Sequence, residues 1–371
     1  MQFQFNLPTQ IFAEPEAVAK HQEEFGRWGK RCLIVTGAQA AKKSGALDDV
    51  TAALEQNGVE WQVFDKVGQN PLLSVCLQGG QQAAAFGAEF VVGIGGGSAL
   101  DAAKAVAVFG ANPDLPAMGI YDSWVNPALP ILLVGTTAGT GSEINPFSVL
   151  TIDETGVKRS WNHPGQSYAK AAFGDARYTY SLSHSFTMST GLDAVCHALE
   201  AYFSNIEDSV SDLCAVEAVR LLLPVLRDIW ATGAEPTPEQ RTALYLGSLY
   251  AGFSLNRCGT ACCHIMGYCL TEEQQIPHGY ACALFLPEMI RYAVPLLPQK
   301  AHRLFKTLGL YAGELCQSLE QMTEVTIQPL SEAALEALLL RWDGSKNMLR
   351  MPGDFTTAKQ REMGERILCS H

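Results

Sequence analysis

Asp193 and His197 stand four residues apart in Gly191-Leu-Asp-Ala-Val-Cys-His197-Ala-Leu-Glu, with no proline or glycine between them. A helix there puts both side chains on one face. His264 and the histidine of Pro277-His278-Gly279 could complete a set of one carboxylate and three imidazoles. Those donors suit a divalent first-row transition metal such as Fe(II) or Zn(II). Taken one at a time, each has a plainer reading. A lone histidine on an apolar face is more often a hydrogen-bonded core residue, and Asp193 with His197 could be an intrahelical pair.

Upstream, Gly95-Gly96-Gly97-Ser98 follows a strand pattern and opens a helix pattern. Glycines let a backbone approach a pyrophosphate, and a helix N-terminus offers unpaired N–H groups and partial positive charge. The spacing is not GxGxxG, so the turn alone is weak evidence. Thr136-Thr137-Ala-Gly-Thr140-Gly-Ser142 follows another strand pattern and makes a second small-residue loop. Two such loops in one parallel sheet strengthen a nucleotide reading. Gly37 ends the first strand, where many dinucleotide folds place an acidic side chain that would repel a 2′-phosphate. With Lys42 and Lys43 nearby it leaves room for NADP(H), with NAD(H) still open. A Lewis acid beside a dinucleotide pocket implies hydride transfer to or from a carbonyl carbon.

The elements that would position these groups fall into two regimes. Arg31–Thr36, Glu60–Phe64, Glu89–Ile94 and Ile131–Val134 read as strands, with helices over Asp48–Gln56, Ser74–Phe86 and Ala99–Val108 between them. Strands alternating with helices imply a mostly parallel, Rossmann-like sheet covered on both faces. Beyond Tyr178–Ser185 the pattern turns helical: Thr190–Ser204, Val210–Trp230, Pro238–Leu255, Pro287–Leu310 broken at Pro295 and Pro298, and Glu332–Leu340. The expectation is an α/β dinucleotide-binding domain over residues 1–180 and an all-α metal-binding domain over 181–371, with the active site in the cleft between them.

Composition narrows the class. The chain has 371 residues, 47% hydrophobic and 17% charged, enough for proper cores. A formal charge of −12 argues against a general nucleic-acid grip. The start, MQFQFNLPTQ, lacks the basic and apolar segments of a signal peptide. No apolar run reaches the roughly 18–20 residues that span a bilayer. A soluble cytoplasmic protein is expected, and its 11 cysteines are read as reduced thiols. Cys258, Cys262, Cys263 and Cys269 match no CxxC spacing of a structural zinc site and read as small buried hydrophobes.

Taken together the motifs resemble the iron-containing (group III) alcohol dehydrogenases, part of the dehydroquinate synthase-like superfamily. The resemblance covers most of the chain. It rests on Gly95-Gly-Gly-Ser-Ala-Leu-Asp101, Thr136-Thr-Ala-Gly-Thr-Gly-Ser-Glu143, Gly191 to Tyr202, and Ile276-Pro-His-Gly279. It implies Asp193, His197, His264 and His278 as metal ligands, each in its motif and in order, with Fe(II) expected and Zn(II) open. It places Asn70, Gly95, Gly96, Gly97, Ser98, Asp101, Thr136, Thr137, Thr140, Phe147 and Lys158 along the nucleotide cleft. The implied activity is reversible reduction of a small aldehyde to its alcohol, by a homodimer. The rival readings are a dehydroquinate synthase-like lyase or cyclase without net redox, and a non-catalytic binding protein.

One departure stands out. Many members carry a second histidine four residues after the third ligand, and here that position is Tyr268. A phenol with an ordinary pKa near ~10 is a poor base at neutral pH. Tyr268 therefore either donates a proton or packs while water supplies it. Asn256-Arg257 and Tyr268-Cys-Leu-Thr271 look similar to the phosphonoacetaldehyde reductase branch, in which Arg257 could grip a phosphonate bidentately. Arg159 and His163 are lesser candidates for that role.

Overall fold

The computed structural model describes residues 2–163 and 165–369. They form two compact units. One comprises residues 7–182 with 237–245. The other comprises a segment ending at Asn6, residues 183–236, and the chain from Leu246 onward.

The first unit is built on a six-stranded sheet: β1 (Gln10–Ala13), β2 (Arg31–Thr36), β3 (Glu60–Phe64), β4 (Phe90–Gly95), β5 (Ile131–Gly135) and β8 (Ala171–Gly174), in the order β1-β8-β5-β4-β2-β3. Every pairing in it is parallel. Successive side chains of a strand face opposite ways, and here both faces are covered. Cys32, Ile34, Phe90, Val92 and Leu132 pack on one side with Val50 and Leu54 of the Ala46–Gln56 helix. Leu33, Val35, Val91 and Leu133 pack on the other, with Cys76 and Ala83 of the Leu73–Phe86 helix and Val106 and Phe109 of the Gly97–Ala111 helix.

The four strands expected from sequence are present, their ends shifted by no more than a residue. The edge strand β1 and its neighbour β8 were not anticipated, nor was the antiparallel hairpin of β6 (Ser148–Thr151) and β7 (Lys158–Trp161). The order of the sheet reverses between β2 and β4, whose carboxyl ends lie side by side with Thr36 opposite Ile94. Gly95 pairs in turn with Gly135 of β5. Open parallel sheets bind ligands at such a reversal, outside the carboxyl ends.

The second unit is helical. Ser183 caps His184–Tyr202 by accepting from Phe186 N–H, and Asp208 caps Ser209–Thr232 by accepting from Val210 and Ser211 N–H. The part of helix Pro238–Cys258 from Leu246 onward, then Cys262–Glu273, His278–Ala283, Leu286–Leu296, Pro298–Leu308, Ala312–Met322, Glu332–Trp342 and Thr357–Gly364 follow. Pro295 does not break its helix as expected. It lies one residue from the end of Leu286–Leu296, and the chain turns at Leu297, where Pro298 opens the next helix. Among the described residues no helix is long and apolar enough to cross a membrane.

Candidate functional site

Helix His184–Tyr202 is buried along most of its length and carries Asp193, His197 and Glu200 at i, i+4 and i+7, all on one face. Its Asp193 Oδ1 is buried with no hydrogen bond of good geometry. Three imidazole nitrogens face it instead: His264 Nε2 at 3.3 Å, His197 Nε2 at 3.8 Å and His278 Nε2 at 3.8 Å. His197 Nε2 and His264 Nε2 stand 2.9 Å apart. Nitrogen and oxygen ligands at about 2.0–2.1 Å from a tetrahedral ion lie about 3.3 Å from one another. The observed spacings bracket that edge, and the uncompensated carboxylate oxygen at their centre is what a cation would satisfy. The four residues fit a divalent metal.

The electrostatics agree. Burial works against the Asp193 charge, but the facing rings of His197, His264 and His278 hold its carboxyl well below the usual range. Burial alone would lower the His264 pKa, yet the carboxylates of Glu200 and Asp193 push it up to about 10. A divalent cation would take over the role of that proton.

Glu200 was not singled out in the sequence, although it lies in the same motif. It accepts from His264 Nδ1, from Ala261 N–H at 3.0 Å and from His264 N–H at 3.3 Å. A carboxylate on the far nitrogen fixes ring orientation and leaves Nε2 facing the centre. The spacing of seven from Asp193 was the available signal.

Helix His278–Ala283 reaches the cluster through a backbone contact. A Cβ on Gly279 would lie 1.7 Å from Ser189 O and 3.1 Å from Asp193 N, so only glycine allows this crossing. On its other side, a Cβ on Gly267 of helix Cys262–Glu273 would meet Ala281 O at 2.8 Å. These contacts set His278 and Cys282, one turn apart, over Asp193. Cys282 Sγ lies 3.7 Å from both ring nitrogens of His278. Donor atoms of Asp193, His264, His278 and Cys282 all fall within 4.8 Å of one another. Sequence reading assigned Cys282 nothing. The His278 side chain is the most open of the four expected ligands, at 29% exposure against 4% for His264. Tyr268, one turn after His264, stacks on His278 at 5.8 Å between ring centres. Burial, with Cys282, Glu200 and Asp193 nearby, pushes the Tyr268 phenol up, so it keeps its proton.

In the sheet unit the two small-residue loops meet. A Cβ on Gly96 would strike Thr137, and one on Gly97 would strike Thr140. Gly95 has φ +152, and Thr136 N–H bonds its carbonyl at 2.9 Å. Asn70, with φ 54, donates its N–H to Ser98 Oγ at 3.3 Å, while Thr151 Oγ1 donates to the Asn70 carbonyl at 3.2 Å. Asp101 accepts from Ser142 Oγ at 2.5 Å and Val149 N–H at 2.9 Å. Fully buried Lys104, overlooked in the sequence, donates to Ser142 Oγ at 2.8 Å and to the Phe147 carbonyl at 2.6 Å. Gly37 lies against Val67 O, and Lys42 stands 3.9 Å from Asp65. Lys158 opens β7, paired with Thr151.

Arg257 contacts Gln4 Oε1 at 3.4 Å and Asp208 Oδ2 at 3.9 Å, and its neighbour Asn256 donates to the Asn6 carbonyl. Both therefore hold the N-terminal segment. Arg159 lies over the Tyr121 ring, and His163 lies beside Trp124. Cys258, Cys262, Cys263 and Cys269 are buried, as their spacing suggested.

One unit thus carries a parallel sheet with two glycine- and threonine-rich loops, and the other a buried imidazole–carboxylate cluster. The profile described as iron-containing alcohol dehydrogenase matches residues 8–176, and that of the family's C-terminal region matches residues 187–340. The chain is 30% identical to 1,3-propanediol dehydrogenase of Citrobacter freundii over 90% of this chain and 86% of that one. It is 33% identical to the bifunctional aldehyde-alcohol dehydrogenase of Escherichia coli over 71% of its own length, and spans only 30% of that longer protein. An iron-containing alcohol dehydrogenase of Thermotoga maritima superposes with TM-score 0.89 at 33% identity, covering 99% of each chain. Sulfoacetaldehyde reductase of Bifidobacterium kashiwanohense, solved with NAD+, superposes with TM-score 0.87 at 25% identity, covering 100% of each. The chain belongs to the iron-containing alcohol dehydrogenase family.

Proposed function

We propose that the chain reduces a small aldehyde to its alcohol, reversibly, using a divalent metal and NAD(P)H. The observation that carries this reading is the buried Asp193 Oδ1 ringed by three imidazoles. Asp193, His197, His264 and His278 hold the metal, and Glu200 orients His264. We assign Fe(II), with Zn(II) as the alternative that nitrogen and oxygen donors also accept. When bound, the cation polarises the carbonyl oxygen as a Lewis acid and the nicotinamide exchanges hydride with the carbonyl carbon. Residues 1–180 serve the nucleotide and 181–371 the metal.

The two loops, joined through Gly96–Thr137 and Gly97–Thr140, cradle the phosphates, with Asn70, Ser98, Asp101, Thr136, Phe147 and Lys158 shaping the pocket. Gly37 favours NADP(H). Tyr268, stacked on the open ligand His278 and holding its proton, donates at the substrate oxygen in the reducing direction. For the substrate we keep a short aldehyde with an anionic tail, phosphonoacetaldehyde to 2-hydroxyethylphosphonate being one case. The relative that acts on a sulfonated aldehyde supports that class. Arg257 would meet such a tail only by giving up Gln4 and Asp208. A cytoplasmic homodimer completes the reading.

The test is NADPH consumption by Fe(II)-loaded protein over phosphonoacetaldehyde, sulfoacetaldehyde, lactaldehyde, glyceraldehyde and aliphatic aldehydes. Turnover is expected with at least one, and His278→Ala should lose both metal and turnover. Binding of NADPH without oxidation across the panel would overturn the reductase reading.

A further inference from the structure

We propose that Tyr245 and Glu143 are positioning residues for the nucleotide, a buried wedge that sets the Thr136–Ser142 loop in its binding shape before the cofactor arrives. The inference rests on the nucleotide reading above and extends it to two residues that reading does not use.

The loop is closed on itself. It leaves β5 at Gly135 and ends in the short 3₁₀ turn Ser142–Ile144, and the side chain of Glu143 comes back over its start. A Cβ on Gly135 would lie 2.6 Å from Glu143 Oε1 and 2.6 Å from Tyr245 Oη. Tyr245 donates its hydroxyl to that carboxyl oxygen at 2.8 Å. Gly174 of β8, the residue paired with Gly135, leaves room for the ring, since a Cβ there would be 2.6 Å from Tyr245 Cε1. Two facing glycines at the carboxyl ends of adjacent strands, the edge where open parallel sheets take ligands, thus house one phenol and one carboxyl group.

The pair is also the loop end's own fastening. Tyr245 and Glu143 are 2% and 3% exposed. Among the described residues no other side chain hydrogen-bonds to Glu143, whereas its neighbour Ser142 is already held by Asp101 and Lys104. Burial, with Glu143 beside it, pushes the Tyr245 phenol well up, so it keeps the proton it donates. Removing that donor strands a buried carboxyl oxygen, which then regains a partner only by moving and taking the loop with it. Tyr245 reaches the site from 102 residues away, on the part of helix Pro238–Cys258 that belongs to the sheet unit.

A loop held in shape binds its ligand without first being ordered. When only a fraction of molecules holds that shape, the apparent Kd rises by the inverse of the fraction. The wedge therefore acts on nucleotide affinity and leaves the metal ligands untouched.

The experiment uses full-length protein and needs no turnover. NADPH affinity is measured by fluorescence titration, and hydrogen–deuterium exchange is followed over residues 136–143 with and without NADPH. Tyr245→Phe removes one hydroxyl. It should raise the NADPH Kd by about tenfold, speed exchange in the free loop, and return to wild-type protection once NADPH is bound. Its metal content should equal that of wild type. Tyr292→Phe, which takes a hydroxyl from the Pro352 carbonyl in the helical unit, should leave both readouts unchanged. A Tyr245→Phe Kd within about twofold of wild type, unaltered loop exchange, or a matching loss of metal overturns the proposal. Wild type that binds NADPH but reduces no aldehyde leaves the wedge standing and removes only the reductase reading, whereas wild type that binds no nucleotide overturns both. Should Tyr245→Phe not fold, wild type decides. Slow exchange of the loop before NADPH is added supports the proposal, and fast exchange that slows only on binding overturns it.

Discussion

Replacing Gly279 by alanine separates the architecture of the centre from its chemistry, because the change adds one methyl group and removes no donor. On helix propensity alone the substitution should stabilise by about 1 kcal/mol. The crossing reverses that sign. The new Cβ would sit 1.7 Å from Ser189 O and 2.6 Å from Ser189 C, where real Cβ contacts stay beyond 3.0 Å. Helix His278–Ala283 must therefore retreat from helix His184–Tyr202 by about 1.3 Å or more, and overpacking of this kind costs about 1–3 kcal/mol.

The larger effect falls on the metal. Ligand distances tolerate about ±0.2 Å, so such a retreat carries His278 out of range of an ion held by Asp193 and His264. Gly279→Ala should fold, melt lower than wild type and retain little metal after gel filtration. Added zinc should raise the wild-type melting point, by the equivalent of about 2.7 kcal/mol at a hundredfold excess over Kd, and leave the variant nearly unmoved. Gly313→Ala, whose Cβ meets nothing within 4 Å, is the control and should be neutral or slightly stabilising. A Gly279→Ala protein with full metal content and an undiminished zinc shift would refute the claim that this backbone contact sets the centre.

Three further outcomes can be measured. Glu200→Gln keeps the shape but removes the charge behind His264, and should weaken metal affinity about 10–100-fold by equilibrium dialysis, with little change in secondary structure. Lys104 loses its charge more readily in the folded protein, because burial drops its pKa to about 8 from 10.5. Between those values the unfolded chain binds more protons than the folded one, so this residue makes stability rise with pH, by at most about 1.4 kcal/mol per pH unit. Denaturant unfolding of wild type against Lys104→Met should show that difference between pH 8 and 10.5, and its KM for nucleotide should rise as the Ser142 and Phe147 contacts go. Gly37→Asp should weaken NADPH use far more than NADH use, and equal losses would show that only the contact with Val67 O had been disturbed.

What could be read in the sequence was whatever one segment specifies alone. Strands β2, β4 and β5 are self-declaring because a strand buried on both faces must be an apolar, β-branched run, and the two glycine and threonine loops follow directly from β4 and β5. Strand β8, Ala-Ala-Phe-Gly, and the half-exposed edge strand β1, Gln-Ile-Phe-Ala, carry no such mark, since they are strands only by virtue of each other and β5. Helix Cys262–Glu273 was hidden for a related reason. Its start at Ala261 has no capping side chain, and what holds that N-terminus is Glu200 from another helix, through the Ala261 and His264 N–H groups.

The same logic divides the metal centre. Asp193 and His197 share one helix face, so their spacing is visible, whereas the part played by Glu200 exists only once helices 64 residues apart in sequence meet. Tyr268 lies between these cases. Its place one turn after His264 was legible, but its protonation was not, because the phenol's pKa depends on burial against His278 and on the anionic groups gathered there. Those surroundings disfavour phenolate, so the phenol carries its proton at neutral pH, a property of the folded neighbourhood and not of the local sequence.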